Sequence, residues 1–357
     1  MSILINNIKE DQILSSFNFA RNSDLVYSEM ISKDNFKNIN KDNLTIIYQT
    51  ENMVFYKRQK FEIKENDVIF CNTHFITSLF EQLRTVIEIK NIKLITHQTD
   101  IPITKKIFNT KPECISEWYS ININTTQRNL IPIPLGVSND YSPKNPKYSE
   151  FNQIKKIEKK NRIYINFQIN TNHRERFKLY NLFKHNDFFL IEEPNKSMTH
   201  YLQNLNENLF TLCPWGNGYD THRFWESIYT GSIPITKRHE TYNSASLLPN
   251  IQVDDYKQIN FEKINKMYEA FSGNKHNYDK LSVDWWMSKI RENEIIDTTK
   301  SKIYINEQDK LHQKSLKELR LWTKTERRKK ERKRYFFKVY KLIYNFCSKF
   351  SNLSGSK

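Results

Sequence analysis

From Leu209 to Thr236 the chain reads LFTLCPWGNGYDTHRFWESIYTGSIPIT. An apolar run through Phe210, Leu212 and Cys213 stops at Pro214, and Gly216 and Gly218 open a loop. Tyr219 to Tyr229 then carries helical spacing, with Phe224 and Ile228 four apart on one face. Asp220 or Thr221 suits the N-cap. Gly231 stands where a left-handed C-terminal residue is usual, and Ile233 to Thr236 starts another strand. Strand, loop, helix, turn and strand in so short a span fit a parallel sheet with helices on its faces.

Glycine use sharpens the constraint. The chain has 6 glycines in 357 residues, about a quarter of the usual ~7%. Gly216, Gly218 and Gly231 fall in this one stretch. Such a chain keeps glycine where backbone needs a positive φ or a ligand approaches closely. A glycine loop feeding a helix N-terminus is also a phosphate cradle, because the first-turn N–H groups are unpaired and the dipole favours an anion. Arg223 and Glu226 are three apart and share a helix face. Arg223 offers a planar fork for phosphate, and Glu226 can accept two hydrogen bonds from a vicinal diol such as ribose. The same spacing also fits a plain surface ion pair.

The spaced pattern Gly218-x-Asp220-x-x-Arg223-x-x-Glu226-x-x-x-x-Gly231-x-x-Pro234 resembles the nucleotide-sugar motif of exostosin-like glycosyltransferases. The resemblance extends more loosely over roughly residues 68 to 271 and not to the C-terminal tail. It implies the GT-B architecture, two Rossmann-like doubly wound domains facing across a cleft, and inversion at the sugar carbon. In that family the positions matching Arg223 and Glu226 contact the nucleotide. The pattern assigns nothing to His222.

Length and alternation give the same organisation. Two domains are expected over 1–150 and 151–305 and a basic amphipathic tail over 306–357; the resemblance implies that the first is the acceptor-side domain and the second the nucleotide-sugar-binding one. In the first, 44–48, 67–71 and 93–97 read as strands, 130–135 as extended, and Ile76 to Lys90 as a helix with Phe80, Leu83 and Ile87 on one face. Residues 1–44 are polar and ambiguous. The charged segment 139–160 is the expected boundary. Beyond it 162–167, 188–191, 209–213 and 250–253 read as strands, alternating with helices over 175–184, 198–205 and 261–271. A further helix is expected over 282–296, packing back across the domains, with Trp285 and Trp286 in its core. Four well-separated cysteines (Cys71, Cys114, Cys213, Cys347) read as buried thiols in a reducing compartment.

Ligands of open parallel sheets bind beyond the C-terminal ends of the strands. The loop after strand 93–97 therefore supplies candidates for the general base that takes the acceptor proton, Asp100 first and His97 second. Each also has a plain structural reading, as a capping carboxylate and a backbone-satisfied histidine. Glu117, Trp118 and Tyr119 are expected in an acceptor-side loop. In the second domain, Asn166, Arg174 and Arg176 lie in or beside the first strand–helix loop, where Arg176 or Arg174 would clamp the donor diphosphate. Gly216, Gly218, Asp220 and Thr221 complete the donor-binding set, with Lys237 and Arg238 as weaker candidates. Adjacent carboxylates of an extended segment point opposite ways, so Asp254 and Asp255 make no metal pair. No metal or cofactor is expected beyond the nucleotide-diphosphate-sugar donor.

Net charge is +16, yet from Lys310 to Lys357 sixteen Lys and Arg face three Glu, so the rest of the chain carries only +3. Lys324 to Arg334 reads KTERRKKERKR. Phe336, Tyr340, Ile343, Cys347 and Phe350 follow at helical spacing. A basic cluster joined to an aromatic stripe suits an anionic membrane surface through residues 324–350. With no secretory signal and no long apolar run, a cytoplasmic, peripherally membrane-bound protein is expected. The expected activity is transfer of a sugar from a nucleotide-diphosphate donor to a hydroxyl of a glycan or lipid-linked glycan, in cell-surface polysaccharide or glycan assembly. The alternatives are a non-catalytic nucleic-acid-binding protein using the basic tail, for which the near-neutral body argues poorly, and a nucleotide-sugar-binding subunit without a base.

Overall fold

The computed structural model describes residues 8–292 apart from 140, 143, 144, 156 and 195, then 294, 302–308 and single positions or short runs between 312 and 335. The chain is mixed α/β, with two largely parallel sheets flanked by helices, compatible with Rossmann-like folds.

The first sheet contains β1 (Leu25–Ser32), β2 (Leu44–Gln49) and β3 (Met53–Arg58). β4 (Lys60–Lys64) leaves it, and β5 (Val68–Asn72), β6 (Ile92–His97), β7 (Ile115–Ser120) and β8 (Leu130–Pro132) complete it. The order is β2-β3-β1-β5-β6-β7-β8. β1, β5, β6, β7 and β8 run parallel, and the β2–β3 hairpin adds antiparallel to β1.

The second sheet contains β9 (Lys160–Ile165), β10 (Phe189–Ile191), β11 (Asn208–Leu212), β12 (Ile233–Lys237) and β13 (Ile251–Val253), all parallel, in the order β10-β9-β11-β12-β13. The chain leaves β9 toward one edge and returns through β11 toward the other. The crevice beyond the C-terminal ends of β9 and β11 is thus a topological switch point, where ligands of doubly wound sheets sit.

The helix His222–Tyr229 lies between the two sheets. Phe224, Trp225, Ile228 and Tyr229 are fully buried in one core with Leu14, Phe19, Phe70 and Ile95 from the first unit. Separate cores cover the outer faces of the two sheets. The motif helix thus joins the two units by shared apolar burial, the main driving force for such a contact.

Several expectations are corrected. The helix from Ile76 ends at Leu83, and Ile87 is 69% exposed instead of joining Phe80 and Leu83 on a buried face. Glu117, Trp118 and Tyr119 lie in strand β7, where Trp118 is fully buried and Glu117 takes an ion pair from Lys93 at 2.9 Å. The late helix is Val283–Arg291. It packs back on the first unit, with Val283 N–H donating to Gln12 O at 2.8 Å and Arg291 meeting Asp24 at 2.9 Å. Trp286 is buried there. β14 (Lys302–Asn306), inside the stretch assigned to the second domain, pairs with β4 beside the first sheet. Cys71, Cys114 and Cys213 are buried free thiols. Cys347 and the aromatic stripe from Phe336 to Phe350 lie outside the described residues.

Candidate functional site

Two loops wall the switch-point crevice, 166–172 after β9 and 213–221 after β11. Arg176 stitches them together. Its Nε donates to Trp215 O at 2.9 Å, Nη2 to Pro214 O at 2.7 Å, and Nη1 to Gln168 O at 2.9 Å and Thr171 Oγ1 at 2.6 Å. With its donors committed to carbonyls and a hydroxyl, Arg176 is a buried strut, not the free diphosphate clamp expected from the sequence. It contributes charge instead: burial, then the neighbouring Arg223 guanidinium, pull its pKa down to about 10, so it stays cationic at neutral pH. Arg174, two residues earlier on the same helix, is exposed. Asn166 is buried and donates to Tyr164 Oη at 2.9 Å.

The two loop glycines serve close approach. A Cβ on Gly216 would lie 3.2 Å from Arg176 Nη2, and one on Gly218 would lie 2.8 Å from Asn122 Nδ2. Asn122 belongs to the first unit, and its Oδ1 accepts the Asp220 N–H at 2.9 Å while Nδ2 donates to Thr99 O at 3.2 Å. Gly231 has the left-handed φ of 74° that ends the helix.

Asp220 does not face the crevice. It is 4% exposed, and its carboxylate accepts from Trp225 Nε1 at 3.0 Å, Leu135 N at 3.0 Å and Thr221 N at 2.8 Å. Burial pushes its pKa up to about 7 against these hydrogen bonds. Its role is to fasten the motif loop to the loop after β8. His222 does the same, with Nδ1 2.8 Å from Gly136 O. Thr221 is the N-cap residue, but its hydroxyl caps nothing and is buried without a partner.

Arg223 points back toward the crevice. Its guanidinium stands over the Tyr201 ring at 5.7 Å, and its buried Nε has no hydrogen-bond partner. Glu226 is 4% exposed and accepts from Tyr201 Oη at 2.7 Å and Ser138 Oγ at 3.4 Å. Arg223 and Glu226 therefore share a helix face without forming the surface ion pair that their spacing also allowed. Two guanidiniums, neither in a salt bridge with a carboxylate among the described residues, sit together at the switch point. Trp215 Nε1 and Thr221 Oγ1 are further buried polar atoms without partners on the same loop. Buried polar atoms are nearly always satisfied. Three such atoms around one crevice match what an anionic, hydrogen-bonding ligand would complete.

Beyond the glycine loop, Tyr219 stacks on His239 at 3.8 Å with Trp215 edge-on at 5.0 Å, and Lys237 Nζ lies 5.7 Å from the Trp215 ring. Arg238 is turned outward to an exposed pair with Asp254.

His97 is 1% exposed. Its Nδ1 accepts Gln98 N–H at 2.8 Å, and Nε2 lies 3.3 Å from Pro134 O. Burial lowers its pKa to about 3. Neither nitrogen is open to a hydroxyl, so the plain structural reading of His97 is the one its geometry fits. Asp100 is exposed at the C-terminal end of β6, one residue after Thr99, which Asn122 ties to the glycine loop. A cavity of about 1100 Å³ opens in the first unit and includes Ser138, the hydroxyl that reaches Glu226. Sequence reasoning missed Tyr201, Asn122 and Ser138. Each lies far from the motif in the chain and carries no spacing signal.

Residues 149–259 match the family model of the RXYLT1 C-terminal domain, a span that holds the whole second sheet and the helix His222–Tyr229. The match supports an exostosin-like glycosyltransferase relation for that part of the chain. No curated protein matches the chain.

Proposed function

We propose that the protein is a glycosyltransferase of GT-B type that binds a nucleotide-diphosphate sugar in the β9–β11 crevice. It transfers the sugar to a hydroxyl of a glycan or lipid-linked glycan. The observation that carries this reading is the Arg223 guanidinium, with an unpartnered buried Nε beside a second cation and no salt bridge to either among the described residues. Glu226, held by Tyr201 and Ser138, is the group for the ribose diol. The diphosphate meets Arg223 and the Thr221 hydroxyl in the field of Arg176. The sugar lies toward Trp215, Tyr219 and His239.

In the reaction an acceptor oxygen bonds to the anomeric carbon while the bond from that carbon to the phosphate oxygen breaks. Negative charge then grows on the leaving diphosphate. Prepositioned cations in a water-poor crevice stabilise that charge without reorganising. The acceptor proton passes to Asp100, and arginines take the part that a metal takes elsewhere. Inversion follows from a single displacement of this kind. The cavity beside Ser138 is the natural entry for the acceptor.

The test is calorimetric titration with a panel of nucleoside diphosphates and nucleotide sugars, with and without added magnesium. One nucleotide should bind, and Glu226→Ala should abolish the binding. Asp100→Asn should keep binding and lose transfer. Absence of binding across the panel would remove the reading.

A further inference from the structure

A second polar network lies on the β10 side of β9, away from the glycine loop that follows β11. Glu192 comes directly after β10, and its N–H donates to Ile165 O at 2.9 Å. That bond sets Glu192 abreast of Asn166, the first residue of the crevice loop. Tyr164 Oη accepts from Asn166 Nδ2 at 2.9 Å and donates to Glu192 Oε2 at 3.0 Å. His200, on the helix Met198–Glu207, brings Nε2 to 2.8 Å and 3.0 Å from the two Glu192 oxygens. A carboxylate at the C-terminal end of a strand next to the phosphate loop is placed to meet the nucleoside part of a nucleotide.

Two carboxylate oxygens around one ring nitrogen decide the tautomer. Nε2 carries the proton and donates it to Glu192. The Asn204 amide lies 3.0 Å from the same nitrogen, but its protons go to His200 O at 3.0 Å and Glu192 Oε2 at 3.4 Å. A neutral imidazole has one N–H, so Nδ1 is left as an acceptor. Nδ1 has no hydrogen-bond partner among the described residues, and the side chain is 40% exposed, which leaves it accessible. Two tyrosines connect this wall to the donor residues. The Tyr164 ring lies 6.4 Å from the Tyr201 ring, Tyr201 Oη donates to Glu226 at 2.7 Å, and the Arg223 guanidinium stands over the Tyr201 ring at 5.7 Å. Arg223, Glu226 and His200 thus follow one another along the crevice in the order phosphate, ribose, base.

We propose, on the footing of the donor site described above, that His200 reads the nucleobase and selects one whose ring carries an N–H beside a carbonyl: uracil, thymine or guanine. Nδ1 accepts that N–H, and Glu192 acts through His200 by holding the tautomer. Cytosine and adenine present a lone pair at the matching ring nitrogen. Two acceptors would then face each other, and both would lose a hydrogen bond. A site built to hydrogen-bond a group rejects the analogue that lacks it far more strongly than an apolar pocket rejects a wrong size.

Calorimetric titration of the full chain tests this with matched nucleotides: UDP against CDP, dTDP against dCDP and GDP against ADP. Mildly alkaline buffer keeps the neutral imidazole favoured. In whichever pair the crevice admits, the first member should bind roughly ten- to hundredfold tighter than the second. His200→Phe keeps a ring without the acceptor, so it should weaken the favoured nucleotide by that factor and leave its partner nearly unchanged. Glu192→Gln lets the ring adopt either tautomer and should shrink the same ratio. The ratio within a pair is a readout that a merely structural role of either residue would not move, and melting temperatures report whether the variants fold. Equal binding within the pair, tighter binding of CDP, dCDP or ADP, or a preference that survives His200→Phe overturns the proposal and leaves the donor site standing. Absence of binding by all of these nucleotides removes the donor site, and the proposal with it.

Discussion

Asn122 occupies the space above Gly218, so a Cβ at Gly218 would lie 2.8 Å from Asn122 Nδ2 and 2.9 Å from Oδ1. The amide cannot swing aside, because it holds Asp220 N–H and Thr99 O at once. Gly218→Ala should therefore cost about 1–3 kcal/mol by overpacking. Asn122→Ala should cost a similar amount by leaving both backbone groups unsatisfied. The double variant should cost clearly less than the sum, because the clash and its partner disappear together. Urea denaturation of the four proteins measures this, and strict additivity would contradict the contact.

Asp220 gives a pH signature. Its folded pKa, about 7, stands above the ordinary aspartate value of 3.8 because of burial. The folded state holds this proton more tightly, so the associated stability is fully present below the unfolded pKa. It is lost as pH rises through the folded one. The loss is roughly 4 kcal/mol from about pH 4 to above pH 7. His97 acts in the opposite sense. With its pKa depressed to about 3, it costs stability as pH falls below its ordinary 6.5. Comparing wild type with Asp220→Asn isolates the first effect. The variant should be less stable overall, since an amide donor would face N–H groups, but its stability should decline less across that window. An unchanged slope would show that Asp220 does not titrate there.

The two crevice arginines should separate binding from stability. Arg223→Gln orphans no protein acceptor, so its melting temperature should hold or rise. Nucleotide binding should fall roughly ten- to hundredfold, the worth of a charge-assisted hydrogen bond. Arg176→Gln should instead cost about 2–4 kcal/mol in stability, because Pro214 O, Trp215 O and Gln168 O lose their donors. Calorimetry and thermal melts on both variants decide the matter, and equal losses of stability would contradict the division of labour.

Local signals in the motif were legible because local physics sets them. Gly231 takes its positive φ, and Phe224 and Ile228 are buried, as spacing alone predicts. The partners of the same motif were not legible. Asp220 reads as a cap from its neighbours, but its orientation is set by Leu135, 85 residues away. Arg176 reads as a free cation in a loop, but carbonyls 38 and 39 residues downstream consume its donors. β1 was hidden for a different reason. It buries Ser28 and Glu29, with Glu29 held by Arg21 and Tyr56, so the apolar alternation that marks a strand is broken. Ile76 to Lys90 kept its helical spacing in sequence, yet the helix stops at Leu83 and leaves Ile87 in solvent.

The Lys57–Glu307 pair should be the most sensitive point of the C-terminal strap. Both side chains are 0% exposed, and their atoms meet at 2.6 Å. Burial already lowers the Lys57 pKa, and Glu307 is the partner that opposes this. Removing the carboxylate strands an ammonium between Tyr27 and Phe75, whose rings lie 5.7 Å and 5.6 Å from it. Glu307→Ala should therefore cost about 3–5 kcal/mol, far more than an exposed pair such as Lys37–Asp34 is worth. Replacing both charges, as Lys57→Met with Glu307→Gln, should recover most of that loss. Glutamine keeps contacts for Ser78 and His312, and methionine fills the lysine's apolar path. Limited proteolysis gives a second readout. In Glu307→Ala, cleavage near residues 302–317 should precede global unfolding, because β14 has lost the contact that pins its end. If the single and double variants melt together, the strap is held by β14 pairing and Ile305 burial rather than by the ion pair.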